Sequence, residues 1–143
     1  MENGVKAFFD RYESFFNRAL AGDMKADEVA ALYASAFIAA SPAGVMTGEN
    51  DEKFRQAMAQ GYAYYREIGT KEMRIRNVRT SRMDAHHCVA HVAWTATYAR
   101  KGQPDVAIDF EVHYLVQMLD GQPKVFGWVT GDEQALLKER GII

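Results

Sequence analysis

The sequence predicts an α+β fold in which helices precede an antiparallel β-sheet and a short helix follows it. Apolar residues recur at three- and four-residue steps through most of the first half of the chain, a spacing typical of amphipathic helices. From Glu72 onward they recur at every second position, as in half-buried strands, and turns that contain glycine separate these runs. No linker, repeat or low-complexity segment interrupts the 143 residues, so we expect a single domain over residues 1–143.

Two helices are predicted before the first strand. The first carries a wide aromatic stripe and ends at Ala21-Gly22-Asp23; its apolar residues are Val5, Phe8, Phe9, Tyr12, Phe15, Phe16, Ala19 and Leu20. The second is short. It is predicted to have Asp27 as its N-cap and to bury Val29, Leu32 and Tyr33 on one face.

A strand, a turn and a second strand are predicted between residues 36 and 48, where Pro42 and two glycines stand among apolar residues. Asn50 and Asp51 are candidate caps for a third helix that ends at Gly69. The residues that share the apolar face of this helix are Phe54, Met58, Tyr62, Tyr65 and Ile68.

The long strands show one apolar and one more polar face. The even positions of 106–118 are all apolar, and those of 88–100 are Cys, Ala, Val, Trp, Ala, Tyr and Arg, whereas the odd positions of 88–100 are smaller and more polar. Turns at 101–104 and 120–123 predict a meander that continues into a last strand at 124–130.

A final helix is predicted after the last strand. Thr130 and Glu133 form a candidate capping box, Leu136 and Leu137 lie within the helix, and Gly141 ends it.

Composition argues against several classes of partner. The formal net charge is −2, and the densest basic stretch, Arg74 to Arg82, is predicted to be a solvated strand face, so we expect no nucleic-acid binding. No apolar run approaches the roughly 20 residues that span a bilayer, so no membrane association is predicted. With the single Cys88 and no signal-peptide pattern, we expect a cytoplasmic protein without internal disulfides.

The order of these elements resembles the nuclear transport factor 2-like superfamily, and in particular its SnoaL-like branch. The local segments similar to members of this branch are Ala21-Gly22-Asp23, Leu32-Tyr33-Ala34, the turn region 42–48, and Asp120-Gly121 before the strand of Trp128. The resemblance implies a cone-shaped (cystatin-like) fold, in which a strongly bent antiparallel sheet wraps around the helices and leaves an apolar pocket. It also implies a homodimer formed through the outer sheet face.

The aromatic residues predicted to face the cone are the candidate ligand-binding residues. An aromatic, concave site suits a small hydrophobic or aromatic metabolite. The alternative is that these side chains only fill a close-packed core. The candidates are Phe16, Tyr62, Tyr65, Trp94, Tyr98, Phe110, Tyr114 and Trp128.

Ketosteroid isomerases of this superfamily use a carboxylate base in an Asp-Pro pair and a tyrosine that holds the oxyanion. The matching positions in this chain are Ser41-Pro42 and Phe16, and a serine hydroxyl is too weak a base for that reaction. The isomerase mechanism is therefore not predicted, although Tyr12 takes the tyrosine position if the register shifts.

Other proton-transfer candidates are Tyr62, His91, Asp109 and His113. The last three are odd-numbered, so a regular strand directs them away from the cone, and only a β-bulge turns one inward. A hairpin centred near residues 102–103 places His91 opposite His113 and Thr95 opposite Asp109. We expect this group to form a polar outer face near a dimer contact.

A metal site at His86, His87, Cys88 and His91 is not favoured. On a strand, His87 and His91 share a face but lie roughly 13 Å apart, at about 3.3 Å per residue, which is too far for one ion. No cofactor is predicted. The expected function is binding of a small hydrophobic molecule, with lyase, isomerase or cyclase chemistry left open; the alternative is a non-catalytic dimeric protein-association module.

Overall fold

The computed structural model describes residues 1–143. It contains four helices, α1 (Glu2–Leu20), α2 (Ala26–Leu32), α3 (Glu52–Glu67) and α4 (Glu133–Glu139). It contains six strands, β1 (Tyr33–Ser41), β2 (Gly44–Glu49), β3 (Thr70–Arg82), β4 (His87–Arg100), β5 (Gln103–Leu119) and β6 (Gln122–Thr130).

All six strands form one sheet in the order β2-β1-β6-β5-β4-β3. Strands β3 to β6 form the predicted antiparallel meander, and β1 and β2 form the predicted short hairpin. β1 also pairs with β6 in the parallel direction, which joins the hairpin to the meander. The sheet is curled but unclosed and packs against the helices, so the predicted α+β, cystatin-like fold is confirmed.

Two helix ends differ from the sequence prediction. Asp27 is not an N-cap, because α2 begins at Ala26 and Asp27 lies in its first turn. Tyr33 is not helical either: its backbone is extended and opens β1, where it pairs with Val125. The Tyr33 ring is therefore buried as part of a strand and not as part of a helix, and only 4% of the residue is exposed.

The predicted capping box of the last helix is also wrong. Thr130 still belongs to β6, and Asp132 caps α4 by accepting a hydrogen bond from the Ala135 amide at 3.0 Å. The cap predicted for α3 does form, since the Asp51 carboxylate accepts from the Phe54 amide at 2.9 Å.

The core lies between α1 and the inner face of the sheet. The aromatic stripe of α1 is buried as its spacing indicates, and Phe8, Phe9 and Phe15 are at most 1% exposed. The even-numbered residues of β4 meet them, with Trp94 only 1% exposed. This packing fixes which face of the long strands points inward.

Side chains of α1 also cover part of the free edge of β3. The Asn17 amide donates to the Met73 carbonyl at 2.8 Å and accepts from the Met73 amide at 2.9 Å. The Glu13 carboxylate accepts from the Ile75 amide at 2.6 Å. Three backbone groups of an edge strand therefore find partners on a helix instead of on another strand.

Candidate functional site

A cavity of about 320 Å³ lies between α1, α3, the start of α4 and the inner face of the sheet. The structure brings every one of the aromatic residues proposed from the sequence to its lining, so the curled sheet does not simply fill its interior with them. Sequence reasoning did not assign the following lining residues to the pocket: Tyr12, Tyr33, Phe54, Met58, Gly61, Thr70, Met73, Val112, Thr130 and Glu133. Because most lining side chains are hydrophobic, the cavity favours an apolar occupant.

The aromatic walls are held by ring-to-ring contacts. The Phe16 ring lies 5.7 Å from that of Trp94 and packs edge-on against Tyr62 at 5.0 Å. On the opposite wall Trp128 stacks on Phe37 at 5.1 Å. These separations are those of favourable aromatic pairs, so the rings have defined positions around the cavity.

The floor carries hydroxyl groups that are paired with one another. The hydroxyls of Tyr12 and Tyr33 are 2.6 Å apart, and the Trp94 indole donates to the Tyr114 hydroxyl at 3.2 Å. Burial raises the pKa of Tyr12, Tyr33 and Tyr114 well above the usual tyrosine value. These phenols therefore stay neutral across the physiological range.

Two further hydroxyls are less well satisfied. Burial raises the pKa of Tyr62, and no hydrogen bond to its hydroxyl contributes to that shift. Thr70 is only 8% exposed, and its Oγ1 has no hydrogen-bond partner. Burial raises the pKa of the nearby Tyr98 hydroxyl to about 12, and the Thr70 side chain opposes this shift.

Glu133 is the one carboxylate at the cavity, and it stands at the solvent-accessible mouth. Tyr65 on α3 donates its hydroxyl to Glu133 Oε2 at 3.1 Å. Partial desolvation raises the pKa of the Glu133 carboxyl, and the hydrogen bond from Tyr65 opposes this effect. Sequence reasoning assigned Glu133 to a capping box. The signal that could have placed it near the aromatic face is its position just after the strand of Trp128.

The structure does not bring His91, Asp109 and His113 to the cavity. Their strands pair in regular register from Cys88 opposite Val116 to Tyr98 opposite Val106, so no bulge turns these side chains inward. Of the proton-transfer candidates, Tyr62 alone lines the cavity.

On the outer face these residues bond with one another. His91 lies opposite His113, as the hairpin predicted, with their Nδ1 atoms 2.8 Å apart. Thr95 Oγ1 donates to Asp109 at 2.6 Å. Desolvation, with Arg79 and His113 nearby, lowers the pKa of His91, so this ring is held neutral.

The positions compared with the isomerase residues lie apart. Ser41 is exposed at the end of β1, where its Oγ accepts a hydrogen bond from the Ala43 amide at 3.2 Å, and it does not line the cavity. Phe16 does line the cavity, and Tyr12 lies deeper. No carboxylate therefore stands at the place of the isomerase base.

The remaining histidines have protein partners. His87 contacts the Asp84 carboxylate at 2.8 Å and the Gln117 amide at 3.1 Å. No group of three or more His, Cys, Asp or Glu side chains has the geometry to hold a metal ion. Cys88 is buried, and that burial raises the pKa of its thiol.

The outer face of the sheet also carries exposed apolar residues. Ile38 of β1 is 44% exposed and Val129 of β6 is 45% exposed. Leu115 lies over Gly127, where an added Cβ would come within 2.9 Å of its Cδ1. His113 pairs with Val129 across β5 and β6, so the histidine pair borders this apolar surface.

The fold and cavity define a cystatin-like α+β protein, and the sequence places it in a family. Residues 2–133 match the family described as NTF2-like protein (DUF6841), and the chain belongs to that family. None of the curated proteins matches the chain. The predicted membership of the nuclear transport factor 2-like superfamily is thus confirmed.

Several solved structures share this fold. An NTF-2 like protein of unknown function from Shewanella oneidensis MR-1 is 11% identical, with a TM-score of 0.65 over 92% of this chain and 98% of that one. An NTF2-like protein with a cystatin-like fold from Novosphingobium aromaticivorans is 11% identical, with a TM-score of 0.66 over 99% and 88% of the two chains. A putative calcium/calmodulin dependent protein kinase II association domain from Xanthomonas campestris is 15% identical, with a TM-score of 0.60 over 89% and 84%. At these identities the likeness concerns the fold alone.

None of the four helices combines the length and the hydrophobicity needed to cross a lipid bilayer.

Proposed function

We propose that this protein binds a small hydrophobic or aromatic molecule in the cavity among α1, α3, α4 and the sheet. The observation that carries the proposal is the cavity itself, which at about 320 Å³ reaches the size range of small-molecule sites. An interior that served only as core would be close-packed, whereas here the rings surround open space.

The polar groups of the cavity add to this proposal. A buried hydroxyl without a partner costs about 1–3 kcal/mol, so a ligand that hydrogen-bonds to Thr70 Oγ1 gains affinity there. Glu133 and Tyr62 are the groups best placed to accept or hold a proton during lyase, isomerase or cyclase chemistry of the SnoaL-like type. Binding is the primary proposal, and turnover is its extension.

A neutral fluorescent probe tests binding. N-phenyl-1-naphthylamine is titrated into the protein, and its emission is followed with a Gly61→Phe variant in parallel. Gly61 lines the cavity, and a Cβ added there meets no atom within 4 Å, so the new ring enters the open space without a backbone clash.

The matched control is Ala63→Phe, which adds the same ring to an exposed position of α3 away from the cavity. We expect the wild type and Ala63→Phe to bind the probe alike and Gly61→Phe to bind at least about tenfold more weakly, since the ring takes the ligand's place. Equal binding by Gly61→Phe, or no binding by the wild type, contradicts the proposal.

A second candidate function is association with a second copy through the outer sheet face, in the manner of a non-catalytic association module. The exposed Ile38 and Val129 beside the His91–His113 pair favour it, because apolar residues on a sheet face are stabilised by a partner. The Xanthomonas campestris neighbour is described as an association domain and has this fold.

Sedimentation velocity tests this second candidate. We expect a dimer that Val129→Lys dissociates and that weakens when both histidines are replaced or when the pH falls through histidine titration. A monomer at all concentrations, or a dimer indifferent to these changes, contradicts it.

A further inference from the structure

The charge distribution of the cavity is one-sided. Glu133 is its only acidic side chain, and no lysine, arginine or histidine lines it. The carboxylate also forms no salt bridge, since none of the ion pairs of the chain includes it. Glu133 is thus a solvent-accessible carboxylate at the mouth of an apolar cavity, and no cationic side chain of the protein balances its charge.

The titratable groups around Glu133 do not supply the missing charge. They are Tyr65 from α3, Tyr98 from β4 and Tyr114 from β5, and all are acids that are neutral when protonated. The carboxylate helps to raise the pKa of each of them, which strengthens their hold on the proton. Each of these three neighbours therefore offers an aromatic ring and a neutral hydroxyl.

The walls of the cavity attract positive charge as well. Aromatic faces carry a negative quadrupole that draws an ammonium group, and tryptophan does so most strongly. Trp94, Trp128 and Phe110 line the same cavity as the unpaired carboxylate. A bound anion, by contrast, would meet a like charge at the mouth and find no cation inside.

We infer that the molecule bound in this cavity is a hydrophobic amine in its cationic form, whose ammonium group pairs with Glu133 while its apolar body contacts the aromatic walls. This inference rests on the proposed ligand-binding function and adds the chemical class of the ligand. Glu133 acts here as a binding residue that selects for charge.

Three probes of nearly the same shape separate charge from hydrophobicity. They are benzyltrimethylammonium, its uncharged carbon isostere neopentylbenzene, and the anion benzylsulfonate, each measured by displacement of N-phenyl-1-naphthylamine. We expect the cation to bind at least about tenfold more tightly than the neutral isostere, and the anion to bind most weakly.

Glu133→Gln removes the charge and keeps the shape of the side chain, and Glu139→Gln makes the same change at an exposed position of α4 outside the cavity. We expect Glu133→Gln to bring the cation within about threefold of the neutral isostere, and Glu139→Gln to leave the wild-type ratio intact. The melting temperature of each variant shows that it is folded.

A pH titration of the wild type provides a test without substitution. As the pH falls through the raised pKa of Glu133, protonation removes the charge, so the permanently charged cation should lose affinity while the neutral isostere keeps it. All four histidines lie outside the cavity lining and do not contribute to this change through contact.

The outcomes distinguish the inference from the proposed function. Equal binding of the cation and its neutral isostere, or a cation preference that survives in Glu133→Gln, overturns the amine inference while ligand binding stands. Failure of the fluorescent probe and of all three compounds to bind overturns both.

Discussion

The hydroxyl pair of Tyr12 and Tyr33 on the cavity floor should contribute to the free energy of unfolding. Its contribution is measured by replacing the two tyrosines with phenylalanine, singly and together. The two hydroxyls are 2.6 Å apart, and the residues are 6% and 4% exposed. Burial raises the pKa of both phenols, so at neutral pH the pair is a hydrogen bond between uncharged groups. The single variants each leave one buried hydroxyl without this partner.

The expected magnitudes follow from that asymmetry. Each single substitution should lower the free energy of unfolding by about 1–3 kcal/mol, the cost of leaving a buried polar group unpaired. The double variant removes both hydroxyls, so it should cost about as much as one single variant and clearly less than the sum. The coupling energy from the double-mutant cycle should then be about 1 kcal/mol or more.

Urea denaturation at pH 7 supplies the four free energies of the cycle. Tyr64→Phe serves as the control, because Tyr64 is 36% exposed and its hydroxyl makes only a 3.4 Å contact with Gln134; it should change stability by less than about 0.5 kcal/mol. If the two single losses add to within about 0.5 kcal/mol in the double variant, the hydroxyls do not depend on each other and the reasoning is refuted.

Three further predictions concern backbone freedom and pH. Gly61→Ala should raise the free energy of unfolding by about 0.5–1 kcal/mol, because alanine favours the helix more than glycine and α3 has open space there. Gly127→Ala should lower the free energy of unfolding, since the new Cβ lies 2.9 Å from Leu115. Equal effects of the two substitutions in urea denaturation would count against this. Because the pKa of Glu133 is raised in the folded protein, its carboxyl stays protonated to a higher pH there than in the unfolded chain. The stability of the wild type should therefore fall relative to that of Glu133→Gln as the pH rises from 4.5 through the folded pKa. A melting-temperature difference between the two proteins that is constant with pH would contradict this. Because the pKa of His91 is lowered in the folded protein, the unfolded chain binds a proton first as the pH falls. The wild type should therefore lose stability as the pH falls from 6.5 through the folded pKa of His91, and His91→Gln should lose less. Identical pH profiles of stability for the two proteins would rule this out.

The long strands were predictable because their period of two is local and strict. Once the turn after Arg100 is located, the hairpin register follows by counting, which is why His91 fell opposite His113 as expected. The same parity placed Trp94, Phe110 and Tyr114 on the inner face. Fold and aromatic lining could therefore be read from spacing and resemblance.

Other features depend on contacts between distant segments. Nothing within residues 33–41 indicates that β1 pairs in parallel with β6, nearly 90 residues further along the chain. Asp132, rather than Thr130, caps α4, so Glu133 is the first residue of that helix and lines the cavity. Sequence spacing indicated the Thr130–Glu133 capping box alone, so the place of Glu133 at the cavity did not follow from it.

The contact of Asn17 and Glu13 with β3 bears on the exposure of this sheet edge to other chains. An uncovered sheet edge is a template on which another chain can add a strand, and such addition leads to aggregation. Here α1 occupies the backbone groups of Met73 and Ile75, and the rest of β3 carries arginines that repel a second copy of the same strand. The stretch that resembled a basic patch in the sequence thus serves as protection against strand addition.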